Sequence, residues 1–176
     1  NEDFTGVTTF FIDDKIDTGD ILLQKKIKVD KRINAGELHD KLKVIGARTV
    51  KKTIKEILNN SLMQRKQECD GNYKTAYKLN KENIKIDWNQ NCLEIYNKIR
   101  GLSPFPGARA SLINENGDVK RVVFYESEYV IENHNYENGQ IIKEKDFIKI
   151  TCNDGFIFIK NLKMEGKKRM NTSSFL

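Results

Sequence analysis

Hydrophobic periodicity changes character part-way along this chain, and no single-class fold accommodates both patterns. Between residues 34 and 60 the apolar side chains Leu38, Leu42, Ile45, Val50, Ile54, Ile57 and Leu58 recur mostly at spacings of three and four, which predicts one long helix. Asn34-Ala35-Gly36-Glu37 has the form of a capping box at its start, in which Asn34 accepts from the amide of Glu37 and the carboxylate reaches back. Asn59-Asn60 can end it. From residue 108 onward the pattern is strand-like. Asn116-Gly117, Asn138-Gly139 and Asp154-Gly155 are hairpin signals, and they divide segments 108–113, 119–130, 140–152 and 156–164. A small antiparallel barrel or sandwich fits that spacing.

The flanking segments complete the outline. Gly6 to Ile12 is rich in β-branched and aromatic residues and predicts a strand. A polar, acidic loop from Asp13 to Asp20 separates it from a second strand over 21–24. Residues 60–83 lose all periodicity and read as a linker. Residues 90–100 predict a short helix with Leu93, Tyr96 and Ile99 on one side and Gly101 as its stop. Pro104 and Pro106 then bracket a rigid turn. The expected division is 1–62, a linker over 63–83, and 84–176.

Composition narrows the classes of function. At 38% hydrophobic and 32% charged residues, the chain can build a core and is too polar for a bundle of membrane spans. No apolar run approaches the ~20 residues such a span needs, so no membrane partner is expected. The net charge of +6 invites a polyanion partner. The charge is spread evenly, however, with 12 basic against 10 acidic side chains before residue 63, 5 against 3 in the linker, and 14 against 12 after it. The first residues, Asn1-Glu2-Asp3, show neither an initiator Met nor a signal peptide, which suggests a fragment. Cys69, Cys92 and Cys152 are odd in number and lack any C-x-x-C spacing. They read as reduced thiols, buried or incidental, in a cytoplasmic protein.

Several chemistries find no support. The chain has no P-loop, G-x-G-x-x-G or G-x-S-x-G. His39 and His134 lie far apart and no Cys or His pair has zinc spacing. His39 reads as an exposed or structural residue of the long helix, and His134 as a loop residue. An EF-hand starting at Asp13 would place Lys15 and Gln24 at ligand positions, which fails the oxygen requirement of calcium. No metal is expected.

Several blocks nonetheless resemble a known family. Thr5-Gly6-Val7-Thr8, Ile16-Asp17-Thr18-Gly19-Asp20-Ile21-Leu22 and Leu38-His39-Asp40-Lys41-Leu42 are similar to consecutive segments of the 10-formyltetrahydrofolate-dependent formyltransferases. Ile86-Asp87-Trp88, the run from Ile99 to Ala108, and the ending Gly166-Lys167-Lys168-Arg169-Met170 with Phe175-Leu176 resemble the methionyl-tRNA branch of that family. Their order and spacing run through nearly the whole chain. One departure stands out: the family's motif commonly has Asn and Trp where this chain has Ser103 and Phe105.

The resemblance implies an α/β fragment, the end of a Rossmann-like formyltransferase domain, followed by an all-β OB-like barrel. It implies transfer of a formyl group from 10-formyltetrahydrofolate to the amino group of methionyl-initiator tRNA, without a covalent enzyme intermediate. In that family an Asn and a His stabilise the oxyanion, and an Asp orients the His and an ordered water. The Asp matches Asp17; the Asn-His segment would precede residue 1, so the 176 residues by themselves are expected to lack transferase activity. An amide and an imidazole suit a developing oxyanion, and a carboxylate beside the His fixes its tautomer. The same resemblance places the backbone of Asp13, Asp14, Lys15 and Ile16 along the pterin pocket.

Lys78, Lys81, Arg100, Lys167, Lys168 and Arg169 are the candidates for a tRNA face, since basic grooves with aromatic platforms hold single-stranded ends. Ordinary solvated charge is the alternative for each of them, as an exposed turn is for Asp17. Trp88 reads as a core residue at a domain junction, with Phe105 a possible platform. The resemblance suits a monomer. The competing functions are an amino-sugar formyltransferase, a formyl-folate hydrolase or dehydrogenase domain, and a stand-alone RNA-binding module.

Overall fold

A computed structural model of the chain describes residues 2–67, 74–113 and 116–176. These fall into two compact units, Asn1–Ile33 with Glu37–Tyr77, and Asn34–Gly36 with Lys78–Leu176.

The first unit is a two-stranded hairpin and a helix. Strands β1 (Phe4–Phe10) and β2 (Ile21–Lys28) pair antiparallel from Phe4↔Lys28 to Thr9↔Leu23, with an irregularity between Thr9 and Phe10. The first strand thus begins and ends two residues earlier than its sequence suggests, and the second runs four residues further. Helix α1 (Ala35–Leu58) begins directly after Asn34, the expected cap. It closes through a Schellman turn: Asn60 is left-handed (φ 52°), the Ser61 amide donates to Glu56 O at 3.0 Å and the Asn60 amide to Ile57 O at 3.0 Å.

The buried line of α1 differs from the expected one. Leu38, Leu42 and Ile45 are half-buried and continue into Thr49 and Thr53, both buried. Val50, Ile54 and Leu58 are 48%, 53% and 76% exposed. A 3.6-residue period carries these later residues round to the opposite side of the helix. Threonines serve on the packed side because their hydroxyls bond back to the preceding turn: Thr49 Oγ1 donates to Ile45 O at 2.8 Å and Thr53 Oγ1 to Thr49 O at 3.0 Å. Thr53 also meets Thr9 of β1, Oγ1 to Oγ1 at 2.8 Å.

The second unit is a curved antiparallel sheet closed on one side by a helix. Helix α2 (Cys92–Leu102) is followed by β3 (Ala108–Ile113), β4 (Val119–Ile131), β5 (Ile141–Lys143), β6 (Ile148–Cys152), β7 (Gly155–Met164), β8 (Met170–Asn171) and a short α3 (Thr172–Phe175). Strand order is β3-β4-β7-β6-β5, with β8 beside β7. Among the described residues β3 and β5 do not pair with each other, so the sheet is a half-barrel. Two expectations change here. Segment 140–152 is not one strand but the β5–β6 hairpin, turned by the Glu144 amide donating to Phe147 O at 3.0 Å. Asn138-Gly139 joins no paired strands, because β4 pairs with β3 and β7 rather than with β5; local turn chemistry carries no information about a crossover. The turns at Asn116-Gly117 and Asp154-Gly155 do join paired strands, β3–β4 and β6–β7.

The core gathers Ile84, Ile86, Cys92, Ile95, Ile99 and Leu102 against Val122, Phe124, Ile150, Cys152, Ile157, Ile159, Leu162 and Met164. Helix α2 buries positions 92, 95, 99 and 102, a strict three-four-three spacing. Leu93, expected inside, is 46% exposed. Gly101 is not the helix stop; the helix runs through it to a cap at Ser103. At the start of α2 the Asn91 amide donates to Glu94 Oε2 at 3.2 Å, half of a capping box that the sequence reading overlooked. The Ser103-Pro104 and Phe105-Pro106 peptide bonds are both cis.

Candidate functional site

The acidic loop between β1 and β2 is organised by its own side chains. Thr18 Oγ1 donates to both carboxylate oxygens of Asp13, at 2.7 and 2.9 Å, and the Lys15 amide donates to Asp13 Oδ1 at 3.0 Å. The Thr18 hydroxyl, and then the Lys15 amide, hold the Asp13 carboxyl below its ordinary value. Across the base of the loop the Phe11 amide donates to Asp20 O at 3.1 Å.

Asp17 stands at the tip of this loop in the left-handed region, φ 57°. Short polar residues tolerate that region best. Its side chain is exposed, and the described residues give its carboxylate no hydrogen-bond partner. The backbone beneath it is clamped: Gln67 Nε2 donates to Asp17 O at 2.9 Å and to Gly19 O at 2.7 Å. Gly19 is buried against the opposite arm of the loop, where a Cβ would lie 1.6 Å from Phe11 O. A tight, glycine-dependent turn therefore aims an unpartnered carboxylate outward. Asp14, Lys15 and Ile16 are also exposed, Ile16 to 91%.

The clamp comes from a segment read as linker. Arg65 exchanges backbone bonds with Ile21 at 2.8 and 2.9 Å, and its side chain bonds Gln24 Oε1. Gln67 and Arg65 act on residues more than 40 positions away, and no local pattern announces that. Cys69 lies outside the described residues.

The candidate basic residues all belong to the second unit, in different settings. Lys78, Lys81, Lys167 and Lys168 are exposed. Arg100 sits half-buried in the last turn of α2, where its Nε donates to Asn97 Oδ1 at 2.8 Å and its guanidinium lies 5.9 Å from the Tyr96 ring. Arg169 donates to Asn161 Oδ1 and lies 4.3 Å from the centre of the Tyr125 ring. Tyr125 occupies an irregular stretch of β4, where pairing with β7 shifts between Phe124 and Glu126; such bulges re-aim side chains. The sequence offers Tyr96 only as part of a helix face and does not point to Tyr125 at all, although guanidinium-over-aromatic pairs suit base stacking. Phe105 is 86% exposed. Trp88 instead packs edge-on against Phe124 and against Gly139.

The two histidines do no visible chemistry. His39 is exposed on α1 beside Asp40. His134 Nε2 contacts Cys152 O at 2.8 Å and Gly155 O at 3.1 Å, so it pegs the β6–β7 turn. A shallow depression on α1, lined by Asp40, Lys43, Val44, Ala47 and Arg48, draws on a single helix and gathers no convergent catalytic groups.

Comparison with known proteins settles the relationship. Residues 78–176 match the family described as formyl transferase, C-terminal domain, and residues 1–54 match formyl transferase. The chain belongs to the formyltransferase family. This formyltransferase homologue is 48% identical over 172 residues to methionyl-tRNA formyltransferase of Flavobacterium johnsoniae, covering 98% of this chain and 54% of that protein. It is 36% identical over 176 residues to the enzyme of the same name from Bacteroides thetaiotaomicron, covering 98% and 55%. The chain thus spans about half the length of these relatives. Among solved structures it resembles an N-formyltransferase from Helicobacter canadensis in complex with folinic acid and dTDP-3-aminofucose (25% identity, 96% and 57% covered, TM-score 0.62). HypX from Aquifex aeolicus, solved with tetrahydrofolic acid, shares the fold at 16% identity (99% and 30% covered, TM-score 0.72). No helix of the described residues is long and apolar enough to cross a membrane.

Proposed function

We propose that the protein containing these residues transfers a formyl group from 10-formyltetrahydrofolate to the amino group of methionyl-initiator tRNA. The observation that carries this is continuous similarity to methionyl-tRNA formyltransferases over 98% of the chain, through both units. Residues 1–62 complete a Rossmann-like catalytic domain, 63–83 connect, and 84–176 form an OB-like support for the tRNA. The protein acts as a cytoplasmic monomer.

Asp17 serves as the carboxylate that orients the family's histidine and takes up the proton that the attacking ammonium sheds, so that a proton can reach N10 of the tetrahydrofolate as the C–N10 bond breaks. Its exposed, unpartnered position on a clamped turn supports that role. The histidine and asparagine belong to the portion of the longer relatives that this chain does not span. Asp13 to Ile16 line the pterin pocket. The peptide groups of Asp14 and Ile16 make no hydrogen bonds within the described chain, which leaves backbone donors and acceptors for the edge of a heterocycle. Lys78, Lys81, Arg100, Lys167, Lys168 and Arg169 contact the tRNA, with Tyr96 and Tyr125 beneath the two arginines.

The test is a formyl-transfer assay on the protein that contains this chain, with Asp17→Asn beside wild type. An asparagine cannot take the proton or fix the imidazole tautomer, so kcat should fall by about 10²–10⁴ with the thermal midpoint unchanged. Activity within twofold of wild type would remove Asp17 from the mechanism. A preference for a nucleotide-linked amino sugar over methionyl-tRNA as acceptor would instead favour the sugar formyltransferases.

A further inference from the structure

Two cysteines from distant parts of the second unit meet in its core. Cys92 opens α2 and Cys152 closes β6; both are fully buried, with their sulfurs 3.0 Å apart. Around them runs a polar seam. The Cys92 amide donates to Asp154 Oδ1 at 2.7 Å, the Asn153 amide to Gln90 O at 3.3 Å, and Asn153 Nδ2 to Asn91 Oδ1 at 2.9 Å. Gly155 completes the packing, since a Cβ there would stand 2.1 Å from Val130 O and 3.0 Å from Cys92 Sγ. The seam holds the β6–β7 turn against the first turn of α2, and the sulfurs lie directly behind it.

We propose that Cys92 and Cys152 are a redox modification site: they oxidise to a disulfide that staples the start of α2 to the β6–β7 turn. Bonded sulfurs stand about 2.05 Å apart, so the pair has about 1 Å to close. Asp154 approaches the same two sulfurs, which raises a metal as the rival. A tetrahedral zinc with thiolate bonds of ~2.3 Å separates its sulfurs by roughly 3.8 Å, wider than this pair stands, and Asp154 Oδ1 already accepts the Cys92 amide. The disulfide is the better fit.

With a peroxide as oxidant the step balances. One thiolate attacks hydrogen peroxide to give a sulfenic acid and, with its proton, water. The second sulfur displaces the hydroxyl from that sulfenic acid, forming the S–S bond and a second water. Burial disfavours the thiolate of both cysteines, so reaction proceeds through openings of the seam.

The experiment uses the full chain with Cys69→Ser, which removes the third thiol. It is incubated with hydrogen peroxide, quenched in acid, denatured, alkylated and digested. The expected product is a peptide linking Cys92 to Cys152 within one chain, reversed by dithiothreitol, with the melting temperature of the oxidised form raised by about 5 °C or more. Two alkylated thiols after prolonged exposure of a chain whose circular dichroism stays native would overturn the proposal. Sulfinic acid on either residue, or a lower melting temperature once linked, would do the same. So would stoichiometric zinc in the purified protein released by thiol modification. Cys92→Ala should abolish the linked peptide, although the primary result does not depend on that variant folding.

Discussion

Replacing Gly19 by alanine tests whether the turn beneath Asp17 is as constrained as its geometry indicates. The added Cβ would lie 1.6 Å from Phe11 O, where real contacts do not fall below 3.0 Å, so the two arms must separate by about 1.4 Å or more. Three hydrogen bonds oppose that movement: the Phe11 amide to Asp20 O at 3.1 Å, and Gln67 Nε2 to Asp17 O and Gly19 O. Overpacking of this kind costs about 1–3 kcal/mol, and loss of one of the bonds adds about 1 kcal/mol. The lower conformational entropy of the unfolded alanine chain returns about 0.4–1 kcal/mol. The net expectation is a destabilisation of about 1–3 kcal/mol, read from urea denaturation of the variant against wild type at unchanged m-value. In the protein containing this chain, the displaced Asp17 should also lower kcat more than KM is raised. A Gly19→Ala variant within 0.5 kcal/mol of wild type and of equal kcat would show that the loop yields freely, and that its clamp does not position Asp17.

Two further outcomes follow from the second unit. Burial raises the thiols of Cys92 and Cys152 above their ordinary value, so under reducing conditions the folded state keeps protons that the unfolded chain releases. Stability is then fully present below the unfolded value of ~8.5 and declines as pH rises past it, by up to about 1.4 kcal/mol per pH unit for each thiol; denaturation curves between pH 8 and 10 should show this, Cys92→Ala should roughly halve the slope, and a flat profile would contradict it. Ser127 Oγ is buried with no hydrogen-bond partner among the described residues, so Ser127→Ala removes an unsatisfied hydroxyl and should be neutral or stabilising by up to about 1 kcal/mol, whereas a loss above 1 kcal/mol by chemical denaturation would mean the hydroxyl is bonded after all.

Local chemistry was legible wherever a feature depends on near neighbours. Helix α1 from Asn34 to Asn60, strand β3 over 108–113, and the glycine turns at 117 and 155 all follow from caps, periodicity and turn residues within a few positions. The family resemblance was carried by several short blocks in fixed order along the chain, those around Asp17 and Pro104 among them. The inward face of α2 is ambiguous in the sequence because Leu93 and Cys92 are adjacent and either could lie inside. Hydrophobicity favours leucine, but the sheet opposite accepts the 92-95-99-102 face. The later half of α1 is ambiguous for a similar reason: its apolar residues share a helix but not a side, and the hairpin meets the threonines.

The amino-acid sequence by itself determined the family and the two-class architecture, and offered Asp17 as the candidate carboxylate, because these rest on residue types in short ordered runs. Only the tertiary structure decided which groups hold that carboxylate in place and which sulfurs meet. Gln67 reaches Asp17 across 50 positions, Arg169 finds Tyr125 across β4 and β7, and Cys92 meets Cys152 across 60. Each of these pairs joins residues far apart in the chain that meet only through the packing of whole elements, which no local spacing encodes.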